Sequence, residues 1–287
     1  MRLENGKISI DIKSLGAELT SLKYKGKEFL WQADKRYWGR YAPVLFPIVG
    51  KLKDNAMYIE NKEYSMGQHG FARDSEFINV FDSHNKVTYL LSYNEETLKV
   101  YPYKFELYIS YEVFDNQVRV TYEVKNIDNK DIYFSIGGHP AFKWPLVEEE
   151  TSEDYYIEFE KNETQRFIKN ENGCLSYQNE FILEDTNIIE LNKSKFDIDT
   201  FTFKNLNSNK ISLKSKKTGA FVTVYFEGFP YLGIWSRTDE ANFICIEPWY
   251  GLADFINHNK DFKTKEGILQ LKTGDNFKCS YVIEVGG

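Results

Sequence analysis

The chain has 287 residues, a length open to one large domain or two ordinary ones. Its 22 Phe, 20 Tyr and 5 Trp favour strands over helices, so a large β core is expected. A formal charge of −7 argues against a nucleic-acid or anionic-membrane partner, which would draw on clustered Lys and Arg, and suits a small uncharged ligand better.

No apolar run reaches the length of a membrane span, and Met1 to Gly16 alternates charge with Ile instead of building the apolar stretch of a signal peptide. The expected location is cytoplasmic. Cys174, Cys245 and Cys279 are far apart, odd in number and lack the close pairing of a zinc or redox motif. They read as buried or indifferent thiols, with Cys245 a small core residue in the apolar run from Phe243 to Ile246.

Alternation with period two begins at Ile8, Ile10 and Ile12. Ala33 to Arg40 offers one or two helical turns before Pro43, and helix is otherwise a minor component. Alternation resumes at Phe105, Leu107, Ile109, Tyr111 and Val113, and again at Val118, Val120, Tyr122 and Val124. The turn formers Asp115 and Asn116 lie between these two runs, so a hairpin is expected there. The acidic tract Glu148 to Asp154 reads as a solvated loop without a chemical role. Val222, Val224 and Phe226, then Tyr281, Ile283 and Val285, complete the pattern. With strands from end to end and no Pro/Gly/Ser-rich linker, the expected architecture is all-β. Residues 1–287 are expected to form a single domain in which two large antiparallel sheets stack face to face.

Of the four histidines, His139 follows Gly137 and Gly138 and precedes Pro140, so the backbone turns sharply where the imidazole is presented. His69 lies between Gly67 and Gly70, which allow close approach of backbone or ligand. His84 and His258 sit among turn formers and read as exposed. Glu247 ends the apolar run Phe243 to Ile246, where a carboxylate is expensive unless it is paired, hydrogen-bonded or used. Pro248 is expected to stop the ladder there, leaving Glu247 at a strand end beside Trp249 and Tyr250. An imidazole facing a carboxylate makes a general acid and base pair, and Trp and Tyr walls stack on sugar rings. Spacing alone does not separate proton shuttling on a hemiacetal from glycosidic cleavage or from binding.

Four segments occur in order: Phe46 to Asp54, Gln68 to Arg73, Ser135 to Phe142 and Ile246 to Trp249. Together they resemble the aldose 1-epimerase family across essentially the whole chain. The Gly-Gly-His-Pro-x-Phe segment from Gly137 to Phe142 is similar to that of the bacterial LacX-type branch. The resemblance implies a galactose mutarotase-like β-supersandwich with an open sugar site, an aldose substrate, and neither a metal nor an organic cofactor. It implies that His139 protonates the ring oxygen while Glu247 takes the proton of the anomeric hydroxyl. His69 is implied to hydrogen-bond sugar oxygens, and Asp199 to accept from a sugar hydroxyl, with Asp197 close enough to compete. Lys51 stands where the family usually carries an arginine, so the charge is kept and the planar fork lost. Arg73 is the alternative donor, and Trp235 a candidate pocket wall. A monomer or homodimer is expected.

The alternatives are a hexose-6-phosphate 1-epimerase, for which Arg40, Lys51, Lys53 and Arg73 supply cations, and a non-catalytic carbohydrate-binding protein. A glycosidase is weaker, because beside Glu247 no second carboxylate stands out.

Overall fold

The structure is a computed structural model that describes residues 1–287 apart from Asn172, Asp199 and residues 238–240; at 167, 169, 178–181, 197 and 198 it describes the backbone alone. Period-two alternation becomes strand as expected. In Phe105–Phe114 and Gln117–Asn126 every second side chain is buried, and the two pair in register through the turn at Asp115 and Asn116.

Eight strands frame the region of interest: β1 (Val44–Leu45), β2 (Ile136–Gly138), β3 (Ala141–Lys143), β4 (Tyr155–Glu171), β5 (Cys174–Glu190), β6 (Phe201–Lys204), β7 (Tyr231–Trp235) and β8 (Phe243–Tyr250). They run β1-β2-β8-β7-β6-β4, with β3 beside β8 and β5 beside β4. The ladder then continues through Lys210–Ser215, Phe221–Tyr225, Asn276–Gly286, Gln117–Asn126, Phe105–Phe114, Lys86–Ser92 and Ile78–Asp82, giving fifteen strands among the described residues. Antiparallel pairing prevails, and the long sheet folds over so that aromatic and aliphatic side chains from both halves share one core. A four-stranded sheet from Arg2 to Glu28 joins that core, and Tyr111 Oη reaches it with a hydrogen bond to the Ala17 carbonyl at 2.8 Å. Among the described residues no helix is long and apolar enough to cross a membrane.

Three expectations need correction. The segment from Ala33 to Arg40 closes only one turn, with Trp38 N donating to the Asp34 carbonyl, because Ala33 enters in the left-handed region at φ 53°. Among the described residues the α-helix is instead the short Glu95–Val100, started by a reciprocal cap between Asn94 and Thr97. The acidic tract is not wholly solvated. Glu150 is buried, accepting hydrogen bonds from Ser215 Oγ at 2.6 Å and from Tyr155 Oη.

The third correction concerns Pro248, which lies inside β8 and does not end it. On the side of β8 where Ile246 N donates to the Pro140 carbonyl, the neighbouring chain is broken between β2 and β3. Residue 248 faces that same side, so its missing N–H falls where there is no continuous ladder to interrupt.

Two buried carboxylates tie loops to this frame. Glu18 accepts from Tyr41 N and Ala42 N at 2.8 and 3.1 Å and pairs with Lys13. Asp254 lies 3.1 Å from Lys265 Nζ with both side chains 1% exposed, accepts from Lys53 N at 2.9 Å, and bonds through its own backbone to Lys51 and Leu175. Removing one partner of such a pair leaves an uncompensated buried charge, worth about 3–5 kcal/mol. Asp254→Ala should lower the unfolding free energy by about that amount in urea titrations, and adding Lys265→Met should recover part of it. A loss of the size seen at exposed pairs, under about 1 kcal/mol, would show that the pair carries little.

Candidate active site

The break between β2 and β3 is occupied by His139, whose N–H donates to the Pro43 carbonyl at 3.1 Å. Its imidazole projects over β8, where Glu247 faces the same side. His139 Nε2 and Glu247 Oε2 lie 3.3 Å apart, with side chains 8% and 2% exposed. Glu247 therefore sits mid-strand rather than at a strand end.

Rings fix the imidazole from several sides. Trp38 stacks on it at 4.9 Å and 26°, Trp235 meets it edge-on at 5.8 Å, and His69 stands perpendicular at 5.5 Å. Trp249 follows Glu247 by two residues, on the same face of β8. Gly137 on β2 and Gly233 on β7 let its indole lie across the sheet, because a Cβ at either would come within 2.6 or 2.4 Å of ring carbons.

His69 adopts φ 67°, a region that costs a residue with a Cβ of order 1 kcal/mol or more. The loop from Phe46 to Gly50 holds it there: His69 N donates to the Gly50 carbonyl at 2.8 Å, and Gly50 N donates to His69 Nδ1 at 3.1 Å. With Nδ1 accepting, the neutral ring carries its proton on Nε2, and the Gln68 side-chain amide 3.2 Å away then presents its oxygen to that N–H. Arg73 donates to the Gln68 carbonyl at 2.7 Å and lies within 3.7 Å of Asp74, and burial with nearby Arg40 pushes its pKa down to about 10.

These groups open on one cavity of about 240 Å³. His139, Glu247, His69, Arg73 and Trp235, all singled out from the sequence, line it together. Lys51 is placed differently: its stem packs beside Gly173, and Gly173 provides the wall. Asp199 and the side chain of Asp197 lie outside what the structure describes. Sequence reasoning missed Trp38, Gln68, Asn170 and Thr202 as lining residues, and mentioned Trp249 only as a neighbour of Glu247. Trp38 and Asn170 arrive from a loop and from the long β4/β5 hairpin, for which no local pattern exists. Gln68 was legible in principle, since it adjoins His69.

His258 also departs from expectation. Only 13% of its side chain is exposed, and its Nδ1 lies 3.3 Å from Asp254. His84 is exposed as expected.

Comparison with known proteins is decisive for the family: residues 1–269 match the model for aldose 1-epimerase. The chain belongs to the aldose 1-epimerase family. It is 37% and 36% identical to the plasmid and chromosomal LacX proteins of Lactococcus lactis subsp. lactis, with 99% of each chain covered in both cases. Among solved structures it is similar to a galactose mutarotase related enzyme from Lactobacillus acidophilus, at a TM-score of 0.96 and 36% identity, covering 100% of this chain and 97% of the other. A galactose mutarotase-like protein from Lactobacillus casei gives 0.90 and 34%, covering 100% and 99%. The epimerase family and the galactose mutarotase-like fold thus hold along nearly the whole chain, and the chain is a carbohydrate epimerase by family.

Burial pushes the His139 pKa down to about 3, with the charges of Arg73 and Arg40 adding to the effect. His69 is also driven well below the ordinary value, by burial and then by His139. Both rings are therefore neutral at pH 7. An unfolded histidine titrates near pH 6.5, so between about 6.5 and 3 the unfolded chain holds a proton that folded His139 lacks. Stability from this source is full above pH 6.5 and falls as pH drops, by up to about 1.4 kcal/mol per pH unit for each such ring. His139→Asn should flatten the decline between pH 6.5 and 5 by roughly one proton equivalent in urea midpoints measured across that range. An unchanged slope would place the proton uptake elsewhere.

Proposed function

We propose that this epimerase interconverts the α and β anomers of an unphosphorylated hexose through His139 and Glu247. The observation that carries the reading is the 3.3 Å contact between a buried imidazole and a buried carboxylate on the wall of a sugar-sized cavity. At about 240 Å³ the cavity falls below the roughly 300–1,000 Å³ common for drug-sized ligands, which suits one sugar ring. Trp249, whose buried Nε1 has no protein acceptor among the described residues, offers an apolar face and a donor.

Glu247 takes the proton of the anomeric hydroxyl as His139, entered as imidazolium, gives one to the ring oxygen. The bond between C1 and the ring oxygen breaks, C1 becomes an aldehyde, and rotation about the bond to C2 exposes its other face. Closure reverses both transfers and releases the other anomer. The site ends with the protons it began with, so only positioning and proton transfer are required. His69 Nε2, Gln68, Asn170 and Thr202 supply hydroxyl partners. Arg73, already bonded to Gln68, reads better as a hydroxyl donor than as a phosphate clamp.

Polarimetry of freshly dissolved α-D-glucose and α-D-galactose, with glucose 6-phosphate in parallel, tests this. Acceleration of the free sugars is expected, and acceleration of the phosphate ester alone would transfer the reading to hexose-6-phosphate epimerisation. His139→Asn and Glu247→Gln should each lower the rate at least about a hundredfold with folding intact. The pH profile should be bell-shaped. Because kcat/KM reports the free enzyme, its basic limb should lie below pH 6.5. The kcat limb should lie higher, since hydrogen bonding to bound sugar favours the imidazolium. A kcat/KM limb above pH 8 would remove His139 from the role of acid.

A further inference from the structure

We propose that His139, Cys245 and Glu247 form a capture site for a thiophilic divalent cation of the Zn²⁺ class, which shuts the pocket down by occupying its imidazole and carboxylate. The inference reaches beyond the epimerase reading, and its binding half stands whether or not that reading does.

Cys245 precedes Glu247 by two residues on β8, so both side chains project to the same face. One ligand atom from each of the three residues lies within 4.8 Å of the others, and all three residues are buried. Tetrahedral zinc with bonds of about 2.0–2.1 Å to nitrogen and oxygen separates those atoms by roughly 3.3–3.4 Å. His139 Nε2 and Glu247 Oε2 already stand 3.3 Å apart. With a Zn–S bond of about 2.3 Å the sulfur belongs roughly 3.6 Å from each ligand atom, and a set of ligand atoms already within 4.8 Å needs side-chain adjustments of about 1 Å to reach that geometry.

Charge and access agree with geometry. A thiolate and a carboxylate cancel the double charge of the ion, leaving a neutral centre in a dry setting where an unbalanced one would be costly. Coordination replaces the thiol S–H bond with a metal–sulfur bond, and the proton leaves to solvent; no electron moves. The ion enters from the cavity, which His139 and Glu247 line, and its fourth position faces that cavity and takes water. The sulfur lies behind, among Trp31, Ala141, Ala241 and Phe243, where it is fully buried. A small apolar residue would fill that place equally well, so packing alone does not ask for sulfur.

The experiment titrates wild-type protein and Cys245→Ala with Co²⁺, read by absorbance, and with chelator-buffered Zn²⁺, read by polarimetry. Wild type should show a thiolate-to-cobalt charge-transfer band in the near ultraviolet at about one ion per chain, and lose activity to micromolar Zn²⁺, with recovery on adding EDTA. Cys245→Ala should keep its metal-free rate within about twofold, lack the band and need at least tenfold more Zn²⁺ for inhibition. A missing band in wild type, or equal Zn²⁺ sensitivity in the two proteins, would overturn the proposal. Should Cys245→Ala fail to fold, Cys245→Ser and a zinc-edge X-ray absorption spectrum of wild type decide it, one sulfur among nitrogen and oxygen ligands being required. If the protein accelerates no sugar yet gives the band, the epimerase reading fails and the cation site stands.

Discussion

A carboxylate held in the middle of a buried strand constrains everything around it. Glu247 is 1% exposed in β8, where an isolated charge would be far too costly to keep. The chain accommodates it by breaking the neighbouring strand. With β2 and β3 separated at residues 139 and 140, an imidazole is set against the carboxylate at the place where regular pairing would have put backbone. The same gap makes room for Pro248 inside the strand. The two glycines flanking Trp249 then allow the indole to lie flat, so that the wall beside the carboxylate is aromatic. The local rules broken here, a charge in an apolar run and a proline within a strand, are broken together and for one purpose.

The lateral supports are further buried carboxylates that never reach the pocket. Glu18 fixes the backbone at Tyr41 and Ala42, and from that loop come both the Pro43 carbonyl that holds His139 and the Trp38 ring that covers it. Asp254 ties together the loop at Lys51 to Lys53, the start of β5 and the segment carrying Ala253, three parts of one wall. Each group accepts backbone N–H donors that would otherwise have no partner in a loop, so charge is spent on rigidity rather than on ligand contact. On the proposed mechanism, two proton transfers must be positioned within about 0.5 Å, and such anchoring serves that requirement.

Much of the fold was legible because period-two alternation states directly which face of a strand is buried, as in Phe105–Phe114. Glu247 and His139 were legible for the opposite reason, since each violates its surroundings: a carboxylate in an apolar run, and an imidazole in a Gly-Gly-x-Pro turn. Trp38 and Asn170 obey their surroundings and so gave no signal. Their proximity to His139 is created by strand order and loop anchoring, which composition does not encode. Glu150 shows the limit of charge patterning, because its burial depends on Tyr155 and Ser215, the latter 65 residues away in the chain. Pro248 was misread because a ladder was assumed on both sides of β8, and the gap that admits it is a property of a different segment.

The resting proton state of the pair follows from the same burial. Desolvation leaves the His139 imidazole neutral, so the proposed acid is loaded only when it takes up a proton. On the proposed mechanism His139 must therefore take up a proton before ring opening, so that the imidazolium can protonate the ring oxygen as Glu247 takes the hydroxyl proton. The reaction is nearly thermoneutral and must run equally well from either anomer. Once His139 is loaded, opening leaves a proton on Glu247 and a neutral imidazole, and closure restores the starting state, so the same two groups serve both directions.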